Sequence, residues 1–248
     1  MFRGMFLISA ILFDLIGTLI EEASDVLNTE QGYYEIQVKA IHHSLEKDGI
    51  SIEWSLFKKQ YEQVRARQKE RSRQTLREYD MCKRVSDTLI FFNYDVPSTS
   101  PIIRRAVDAY MNIYVSTLQI QQFTYDILRT LVSKYTLGLV TNFAYFPGVY
   151  RVLDRFALRP YFKAIVASGE VGWKKPSDEI FEIALYRLSV KPEEAIFVGD
   201  DYEADIVGAK KIGMKTIFLS KEYTSSEKAD ATIESLEELL LAIKQLSK

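Results

Sequence analysis

Four polar residues that are far apart in the chain each end an apolar run or stand just ahead of a predicted helix. Asp14, Thr141 and Asp200 end runs that are typical of buried strands, and Lys175 precedes a helical segment. In open α/β sheets the carboxyl ends of parallel strands share one edge, where ligands bind. The order of these residues therefore predicts that their side chains meet at one site.

The residue types in this set suit phosphoryl transfer. Asp14 is followed by Gly17 and Thr18, a tight turn that exposes backbone N–H groups beside a carboxylate able to act as a nucleophile. Thr141 and Asn142 offer a hydroxyl and an amide to phosphate oxygens. Each residue alone also has an ordinary structural role, such as a turn former or a helix cap. The ordered coincidence of all of them is what favours catalysis.

Acidic residues are concentrated after the strand predicted at residues 195–198. Asp200, Asp201 and Asp205 supply oxygen ligands only, which suits Mg²⁺. A phosphate dianion is repelled by a carboxylate nucleophile, and Mg²⁺ together with the Lys175 ammonium would remove that repulsion. The alternative is that Asp200 and Asp201 cap a helix predicted from Glu203. Asp205 would then lie in the first turn, where its negative charge interacts favourably with the positive end of the helix dipole.

The elements that position these residues alternate between strands and helices. Continuous apolar runs predict buried strands at residues 9–14, 137–140, 164–167, 195–198, 216–219 and 231–233. Helices are predicted at residues 124–135, 178–188, 203–212 and after residue 235. Thr124 is predicted to cap the first of these helices, and Ser235 with Glu238 to form a capping box for the last. This alternation predicts an α/β fold with a doubly wound parallel sheet.

Between the first two strands of this frame the periodicity becomes helical. Four amphipathic stripes predict a small bundle, and turn signals separate them at residues 48–49, 73–75 and 97–101. The stripes are Tyr34, Val38, Ile41 and Leu45; Trp54, Phe57, Tyr61 and Val64; Cys82, Val85, Leu89 and Phe92; and Ile103, Val107, Tyr110 and Tyr114. We expect a core domain of residues 1–20 and 120–248 and an inserted four-helix cap domain of residues 21–119.

The composition excludes several classes of function. With 32 basic and 34 acidic residues and a net charge of -2, the chain has no bulk field that would attract nucleic acid or a membrane. Cys82 is the single cysteine, which excludes an internal disulfide framework and favours a cytoplasmic location. The apolar residues before Asp14 are too few to span a bilayer and lack a cleavage signal, so we interpret them as a strand.

Together these segments resemble the four motifs of the haloacid dehalogenase-like hydrolase superfamily. Residues 13–19 resemble its D-x-D-G-T-[LV] box, and residues 138–142 resemble its hydroxyl motif. Residues 170–181 resemble its lysine motif, and residues 197–214 its G-D-x-x-x-x-D…G-A…A-G-M motif. The resemblance implies a Rossmann-like core, and the four-helix insert is similar to the helical cap of the family's first subfamily.

The resemblance also implies a function and roles for individual residues. It implies a Mg²⁺-dependent hydrolase, most similar to a phosphatase of a small phosphorylated molecule that acts through an aspartyl-phosphate on Asp14. Thr141 would hydrogen-bond the phosphoryl group, and Lys175 would orient and neutralise it. Asp14 and Asp200 would bind Mg²⁺, with Asp205 as an outer or alternate ligand. The predicted substrate-binding residues are Gly17, Thr18, Thr141, Asn142 and Lys175.

Ile16 departs from the family pattern. Phosphatases of the family carry an aspartate there that protonates the leaving alcohol, and isoleucine cannot do so. Its backbone carbonyl could still serve as the Mg²⁺ ligand that the family takes from this position. We expect slow turnover of ordinary phosphomonoesters, since general acid–base catalysis is worth ~10²–10⁴ in rate. Glu21 and Glu22 are candidate replacements, or else solvated loop charges.

Three other hypotheses remain open because of Ile16. Haloacid dehalogenases also lack that aspartate, but they usually carry an arginine soon after the nucleophile, and none occurs here between Arg3 and Arg65. Phosphonate hydrolases use a cap lysine as a Schiff base, for which Lys39, Lys58 and Lys59 are candidates. The third hypothesis is a phosphate-binding or regulatory protein that has lost efficient turnover.

A basic stretch runs from Arg65 to Arg84. Its members largely alternate along a predicted helix and so spread around the helix axis, which favours a solvated cap helix. Alternatively, one or two of them reach the cleft and select an anionic substrate, with Tyr33, Tyr34 and Tyr79 as further candidates. No recognition motif for nucleic acid accompanies the charge.

Overall fold

The computed structural model describes residues 7–23, 30–220 and 227–247, and a parallel sheet lies at its centre. The strands are β1 (Ala10–Phe13), β2 (Ile20–Glu22), β3 (Leu118–Ile120), β4 (Thr136–Thr141), β5 (Ala164–Ala167), β6 (Ala195–Gly199), β7 (Lys215–Leu219) and β8 (Ala231–Ile233). Six of them form one sheet in the order β5-β4-β1-β6-β7-β8, with every neighbouring pair parallel. From β1 the chain builds one side of the sheet through β4 and β5 and then the other through β6, β7 and β8. The predicted doubly wound α/β fold is confirmed.

The central strands are apolar throughout because both faces of the sheet are covered. All residues of β1 and β6 are buried. Ile11 and Phe13 belong to the apolar cluster on one face, and Ala10 and Leu12 belong to the cluster on the other, as expected for side chains that alternate along a strand. Residues 1–6, which precede the predicted first strand, lie outside the described residues.

The helices surround this sheet and form the insert. They are α1 (Glu30–Lys47), α2 (Trp54–Thr75), α3 (Met81–Ile90), α4 (Pro101–Ser116), α5 (Thr124–Val132), α6 (Phe146–Arg155), α7 (Ser168–Val171), α8 (Asp178–Leu188), α9 (Gly208–Lys211) and α10 (Leu239–Leu246). A π-helical segment, Tyr202–Val207, leads into α9, and 3₁₀ turns occur at Arg159–Tyr161, Pro192–Glu194 and Leu236–Glu238. Among the described residues, no helix is both long and apolar enough to cross a membrane.

Helices α1 to α4 form a bundle between β2 and β3. The predicted apolar stripes are its interior: Val38, Ile41, Phe57, Tyr61 and Val107 are each fully buried. Strands β2 and β3 pair antiparallel, with Ile20 opposite Ile120, and this ribbon joins the bundle to the sheet. The domain boundaries 1–20, 21–119 and 120–248 stay a prediction.

Three local predictions are wrong. Helix α2 continues through the turn predicted at residues 73–75 and ends before Leu76, which has a left-handed φ of 55°. Thr124 does not cap α5; its hydroxyl donates to the Leu19 carbonyl oxygen at 3.0 Å, and the helix ends at Val132. Ser235 makes no capping hydrogen bond, and a 3₁₀ turn precedes α10.

Candidate active site

Asp14 lies at the carboxyl end of β1, in the middle of the sheet. Its backbone N–H donates to the Val198 carbonyl oxygen at 2.9 Å, which extends the pairing of β1 with β6 by one residue. The residue is 7% exposed. A carboxylate buried to this degree needs a cation close by.

Lys175 supplies that cation. Its Nζ lies 2.6 Å from Asp14 Oδ1 and 2.6 Å from Asp205 Oδ1, and it donates to the Val140 carbonyl oxygen at 2.9 Å. Burial of Lys175 alone would favour the neutral amine, but the Asp14 and Asp205 carboxylates outweigh it and raise the pKa above its usual value. The side chain is therefore a fixed positive charge shared by two carboxylates.

The turn after β1 holds Asp200 in place. The Thr18 hydroxyl donates to Asp200 Oδ1 at 2.8 Å. Gly17 has a φ of +96°, and a Cβ at this position would lie 2.1 Å from Asp200 Oδ2, so the turn requires glycine both for its conformation and for space. Gln121 donates to the Gly17 carbonyl oxygen at 2.9 Å. Substrate binding by Gly17 and Thr18 stays a prediction.

The charged residues line a pocket of about 190 Å³. The same pocket is lined by Thr141, Asn142 and Ile16. The Asn142 side chain also holds the backbone of Lys175: its Oδ1 accepts from the Lys175 N–H at 2.8 Å, and its Nδ2 donates to the Lys175 carbonyl oxygen at 3.1 Å. The sequence did not indicate this positioning role. Contact of Thr141 and Asn142 with phosphate stays a prediction.

Asp205 reaches the site from an irregular helix. The sequence predicts an α-helix over residues 203–212, but the first part of it is the π-helix Tyr202–Val207. Asp201 caps this segment, as the alternative interpretation had it, because its side chain accepts from the Ala204 N–H at 2.9 Å. Asp200 instead accepts from the Thr18 hydroxyl. Single-turn π-helices occur frequently at functional sites, where they change the direction of a side chain.

The surroundings of Asp205 bring it into the centre of the site. It is 1% exposed, and its Oδ2 accepts from the Asp201 N–H at 3.1 Å. A Cβ on Gly199 would lie 2.2 Å from Oδ2, so this close approach also depends on a glycine. Burial raises the pKa of Asp205, and Lys175 opposes part of that rise. The sequence did not predict that Asp205 would share Lys175 with Asp14.

Three acidic groups, the buried Asp14 and Asp205 and the half-buried Asp200, have the chemistry of a divalent-cation site. Asp14, Asp200 and Asp205 place carboxylate oxygens within 4.8 Å of one another. Lys175 balances only one of their three charges when all are ionised. Oxygen-only donors at this spacing, with excess negative charge, fit Mg²⁺. The narrow space beside Gly17, which a Cβ would fill, is what allows Asp200 to approach the other two.

Stability of the metal-free protein is expected to fall as the pH rises from about 4 to about 6. Burial, followed by the Asp14 charge, raises the pKa of Asp200 from its usual 3.8 to about 6. The folded state therefore holds a proton that the unfolded state has released, so the stabilisation is complete below pH 3.8 and lost above about pH 6. The contribution is roughly 3 kcal/mol. Urea denaturation in EDTA at several pH values measures it.

Asp200→Asn is the matched control, because its side chain does not titrate. The variant should show a flatter pH profile than the parent over this range. If the free energy of unfolding depends on pH equally in both proteins, the effect does not come from Asp200.

The loop between α2 and α3 docks against the segment that carries Lys175. The Lys174 N–H donates to the Leu76 carbonyl oxygen at 2.9 Å, and the Glu78 N–H donates to the Gly172 carbonyl oxygen at 3.1 Å. The Arg77 guanidinium lies 3.4 Å from the centre of the Trp173 ring. The loop between α2 and α3 thus pairs with the segment next to Lys175. The pattern of apolar residues in the sequence did not predict this contact.

Glu78 extends this docking to the loop after β4. The Ser168 hydroxyl donates to Glu78 Oε2 at 2.7 Å and accepts from the Phe143 N–H at 2.8 Å. Phe143 directly follows Asn142. Cap and core are therefore linked through two loops that carry predicted site residues.

We expect Glu78→Ala and Ser168→Ala to be non-additive in the free energy of unfolding. A hydrogen bond to a charged group is worth ~1.5–3 kcal/mol, and each single variant breaks the same bond. A double-mutant cycle by urea denaturation should give a coupling energy of about 1–2 kcal/mol. Additive effects would show that the two side chains do not act together.

The other cap residues singled out by sequence lie away from these contacts. Lys58 and Lys39 both pair with Glu35, at 2.5 and 3.4 Å, and Lys59 is exposed. The basic residues of α2 after residue 64 are also exposed. Glu21 lies in β2 and accepts from the Gln119 side chain at 3.1 Å.

A family model and several known proteins match this chain. A model of the haloacid dehalogenase-like hydrolase family matches residues 11–219. A glyceraldehyde 3-phosphate phosphatase of Methanothermobacter thermautotrophicus is 34% identical over 132 residues, which are 51% of this chain and 56% of that protein. The chain therefore spans little more than half the length of this curated relative.

Solved structures match over nearly the whole chain. A HAD phosphatase from Thermococcus onnurineus superposes with a TM-score of 0.63 at 23% identity and covers 95% of this chain and 98% of its own. A 2-haloacid dehalogenase from Pseudomonas syringae pv. Tomato DC3000 gives 0.68 at 20% identity and covers 96% and 99%. Both likenesses concern the fold. Because proteins with two different activities share it, the choice between the activities depends on the site.

Proposed function

We propose that this chain, which belongs to the haloacid dehalogenase-like hydrolase family, is a Mg²⁺-dependent phosphatase of a small phosphorylated metabolite. The observation that carries the proposal is the arrangement of Asp14, Lys175, Asp200 and Asp205 in one pocket. The name of the relative from Methanothermobacter thermautotrophicus agrees with this activity. A cytoplasmic location is part of the proposal.

Asp14 is the nucleophile in this proposal. Among the described residues only Lys175 donates to its side chain, and it does so at Oδ1, so Oδ2 is free to attack. Oδ2 forms a bond to phosphorus while the bond from phosphorus to the leaving oxygen breaks, which gives an aspartyl-phosphate. A water molecule then attacks phosphorus while the bond from phosphorus to Oδ2 breaks, which regenerates the Asp14 carboxylate. The two protons of the water leave on the inorganic phosphate, which can return one to the released leaving group. Lys175 stays protonated throughout and neutralises charge on the phosphoryl oxygens.

Asp14, Asp200 and the Ile16 carbonyl would hold the metal, with Asp205 as an outer or alternate ligand. When bound, Mg²⁺ supplies positive charge that offsets the repulsion between a phosphate dianion and the site carboxylates. Thr141 and Asn142 line the same pocket as Asp14 and would orient the phosphoryl oxygens.

Ile16 determines which phosphates the enzyme hydrolyses well. It lines the pocket and has no group that can donate a proton to the leaving oxygen. Acyl and aryl phosphates release a stable anion and need that proton least. We therefore propose them as the best artificial substrates, with alkyl phosphates much slower.

Dehalogenation of a 2-halo acid is the second candidate, because the pocket lacks the acid that phosphatases use. It would place an anionic substrate against Asp200 and Asp205 without a cation to balance them, which Coulomb repulsion disfavours. A regulatory protein without turnover is the third candidate.

A substrate panel separates these functions. Phosphate release from acetyl phosphate and 4-nitrophenyl phosphate should occur with Mg²⁺ and stop with EDTA. Chloride release from 2-chloropropionate in EDTA, with no phosphatase activity, would establish the second candidate instead. Binding of phosphate without turnover of any compound would establish the third.

A further inference from the structure

The backbone around Lys175 is held by hydrogen bonds from two other loops. The Asn142 side chain accepts from the Lys175 N–H at 2.8 Å and donates to the Lys175 carbonyl oxygen at 3.1 Å. One residue earlier, the Lys174 N–H donates to the Leu76 carbonyl oxygen at 2.9 Å. The position from which the Lys175 side chain extends to Asp14 therefore depends on these two attachments.

The cap makes the second attachment through the loop between α2 and α3, residues 76–80, here called the docking loop. The Glu78 N–H donates to the Gly172 carbonyl oxygen at 3.1 Å, and Arg77 forms an antiparallel β-bridge with Trp173. The docking loop is therefore paired with the residues that directly precede the site lysine.

The docking loop also reaches the first attachment, through Ser168. The Ser168 hydroxyl donates to Glu78 Oε2 at 2.7 Å and accepts from the Phe143 N–H at 2.8 Å. Because the peptide unit is planar, the bond to the Phe143 N–H also fixes the carbonyl group of Asn142. The Gly169 N–H donates to the Phe143 carbonyl oxygen at 3.0 Å, and a Cβ on Gly169 would lie 2.7 Å from that oxygen, so this close approach depends on glycine.

These contacts close a ring of hydrogen bonds that includes both the docking loop and Lys175. From Glu78 the ring runs through Ser168 to the loop after β4, and through the Asn142 side chain to Lys175. It returns to the docking loop through the residue before Lys175. Ser168 is fully buried. Buried polar networks whose members are satisfied make the parts that they connect rigid.

Glu78 is a half-buried residue, and both of its carboxylate oxygens accept hydrogen bonds. Oε2 accepts from Ser168, and Oε1 accepts from the Tyr79 N–H at 2.9 Å. Hydrogen bonds to a carboxylate are roughly twice as strong as those between neutral groups, so this side chain makes a strong contact between the docking loop and the core. Among the described residues, those that line the pocket around Asp14 do not include Glu78.

We propose that Glu78 is a positioning residue for Lys175. It holds the docking loop on the core and so fixes the backbone from which Lys175 Nζ lies 2.6 Å from Asp14 Oδ1. Through Glu78 the cap contributes to the reaction without a contact to the substrate. The inference rests on the proposed phosphatase function, since it concerns the group that neutralises the phosphoryl oxygens.

Glu78→Ala tests this proposal through kcat. A displacement of about 1 Å in a reacting group can cost on the order of 10²-fold in rate, and we expect kcat to fall about tenfold. The loss should be the same for acetyl phosphate and 4-nitrophenyl phosphate, because Lys175 contacts the nucleophile and not the leaving group. Glu78→Gln should retain most of kcat, since its side-chain oxygen can still accept from Ser168.

A double variant tests the route through Asn142. Glu78→Ala should lower kcat less in the Asn142→Ala protein than in the parent, because the two substitutions break the same chain of contacts. Full additivity of the two losses in the logarithm of kcat would show that Glu78 does not act on Lys175 through Asn142.

Glu53→Ala is the matched control for Glu78→Ala. Glu53 lies at the other end of α2, where its carboxylate also accepts from a serine hydroxyl, that of Ser55, and from the backbone N–H groups of Ser55 and Leu56. The variant loses similar contacts within the cap and should leave kcat unchanged. Equal losses of kcat in the two variants, or no loss in Glu78→Ala, would overturn the proposal.

Hydrogen exchange of the Lys175 amide, followed by NMR, keeps this test separate from the proposed function. That N–H donates to Asn142 Oδ1, so we expect it to exchange about tenfold faster in Glu78→Ala and at the parent rate in Glu53→Ala. If the parent hydrolyses no phosphate ester but this difference is seen, the proposed activity fails and the positioning of Lys175 by Glu78 stands. If the amide exchanges at one rate in all three proteins, the positioning role is wrong.

Discussion

Replacing Lys175 with methionine is expected to remove phosphatase turnover, with a loss in kcat on the order of 10³-fold or more. Lys175 Nζ lies 2.6 Å from both Asp14 and Asp205 and is the buried cation that faces them. Without it, two carboxylates would repel each other and the incoming phosphate. Steady-state kinetics with 4-nitrophenyl phosphate and Mg²⁺ measures the loss.

The same substitution should lower the free energy of unfolding by about 3–5 kcal/mol at neutral pH. Removing one partner of a buried ion pair leaves the other charge uncompensated, which costs more than the pair itself contributes. The deficit should shrink as the pH falls, because protonation removes the stranded charge on Asp205, whose pKa burial already raises. Urea denaturation in EDTA at neutral and acidic pH measures both effects.

Lys174→Met is the matched control for Lys175→Met. Lys174 is adjacent in sequence and half-buried, and it contacts Leu76 through its backbone N–H, which the substitution keeps. This variant should retain turnover and stability. Near-normal activity in Lys175→Met would show that the buried lysine does not serve the reaction.

Ile16→Asp is expected to raise kcat for alkyl phosphates by ~10²–10⁴-fold, because it supplies the missing proton donor. Ile16 is partly buried and lines the pocket, so a carboxyl group there would face the leaving oxygen. Acyl and aryl phosphates should gain much less, since their leaving groups depart without a proton. Comparison of glycerol 3-phosphate with acetyl phosphate measures the difference.

Ile16→Asn separates proton transfer from polarity and size. The amide resembles the carboxyl group in shape and cannot donate a proton as an acid. We expect no gain with this variant. Equal activities of the Asp and Asn variants would contradict the role assigned to position 16, and a lack of response in both would favour a scaffold without turnover.

The strands and their ends could be predicted from sequence because burial on both faces produces uninterrupted apolar runs. The strand at residues 164–167 and the helix at residues 178–188 were predicted with the bounds that the structure has. Parallel pairing then places the residues after β1, β4 and β6 at one edge, which is why Asp14 and Asp200 were found together.

The contacts between distant side chains could not be predicted in this way. Asp205 shares Lys175 with Asp14 because it lies in a π-helix that turns its side chain toward the site. The spacing of apolar residues in the sequence does not distinguish a π-helix from an α-helix. Glu78 and Ser168 are 90 residues apart, and both carry polar groups that are equally plausible in solvent. Such pairs depend on how the helical bundle packs against the sheet domain. The hydrophobic pattern of the sequence alone does not specify that packing.

A covalent aspartyl-phosphate is the most direct test of the account. The protein is mixed with 4-nitrophenyl phosphate and Mg²⁺, quenched in acid during turnover, and the peptide that contains residue 14 is analysed by mass spectrometry. We predict a phosphoryl group on Asp14 that is absent from Asp14→Asn, which should release no phosphate. Phosphate release by Asp14→Asn at the parent rate, or a phosphoryl group on another residue, would contradict the proposed mechanism.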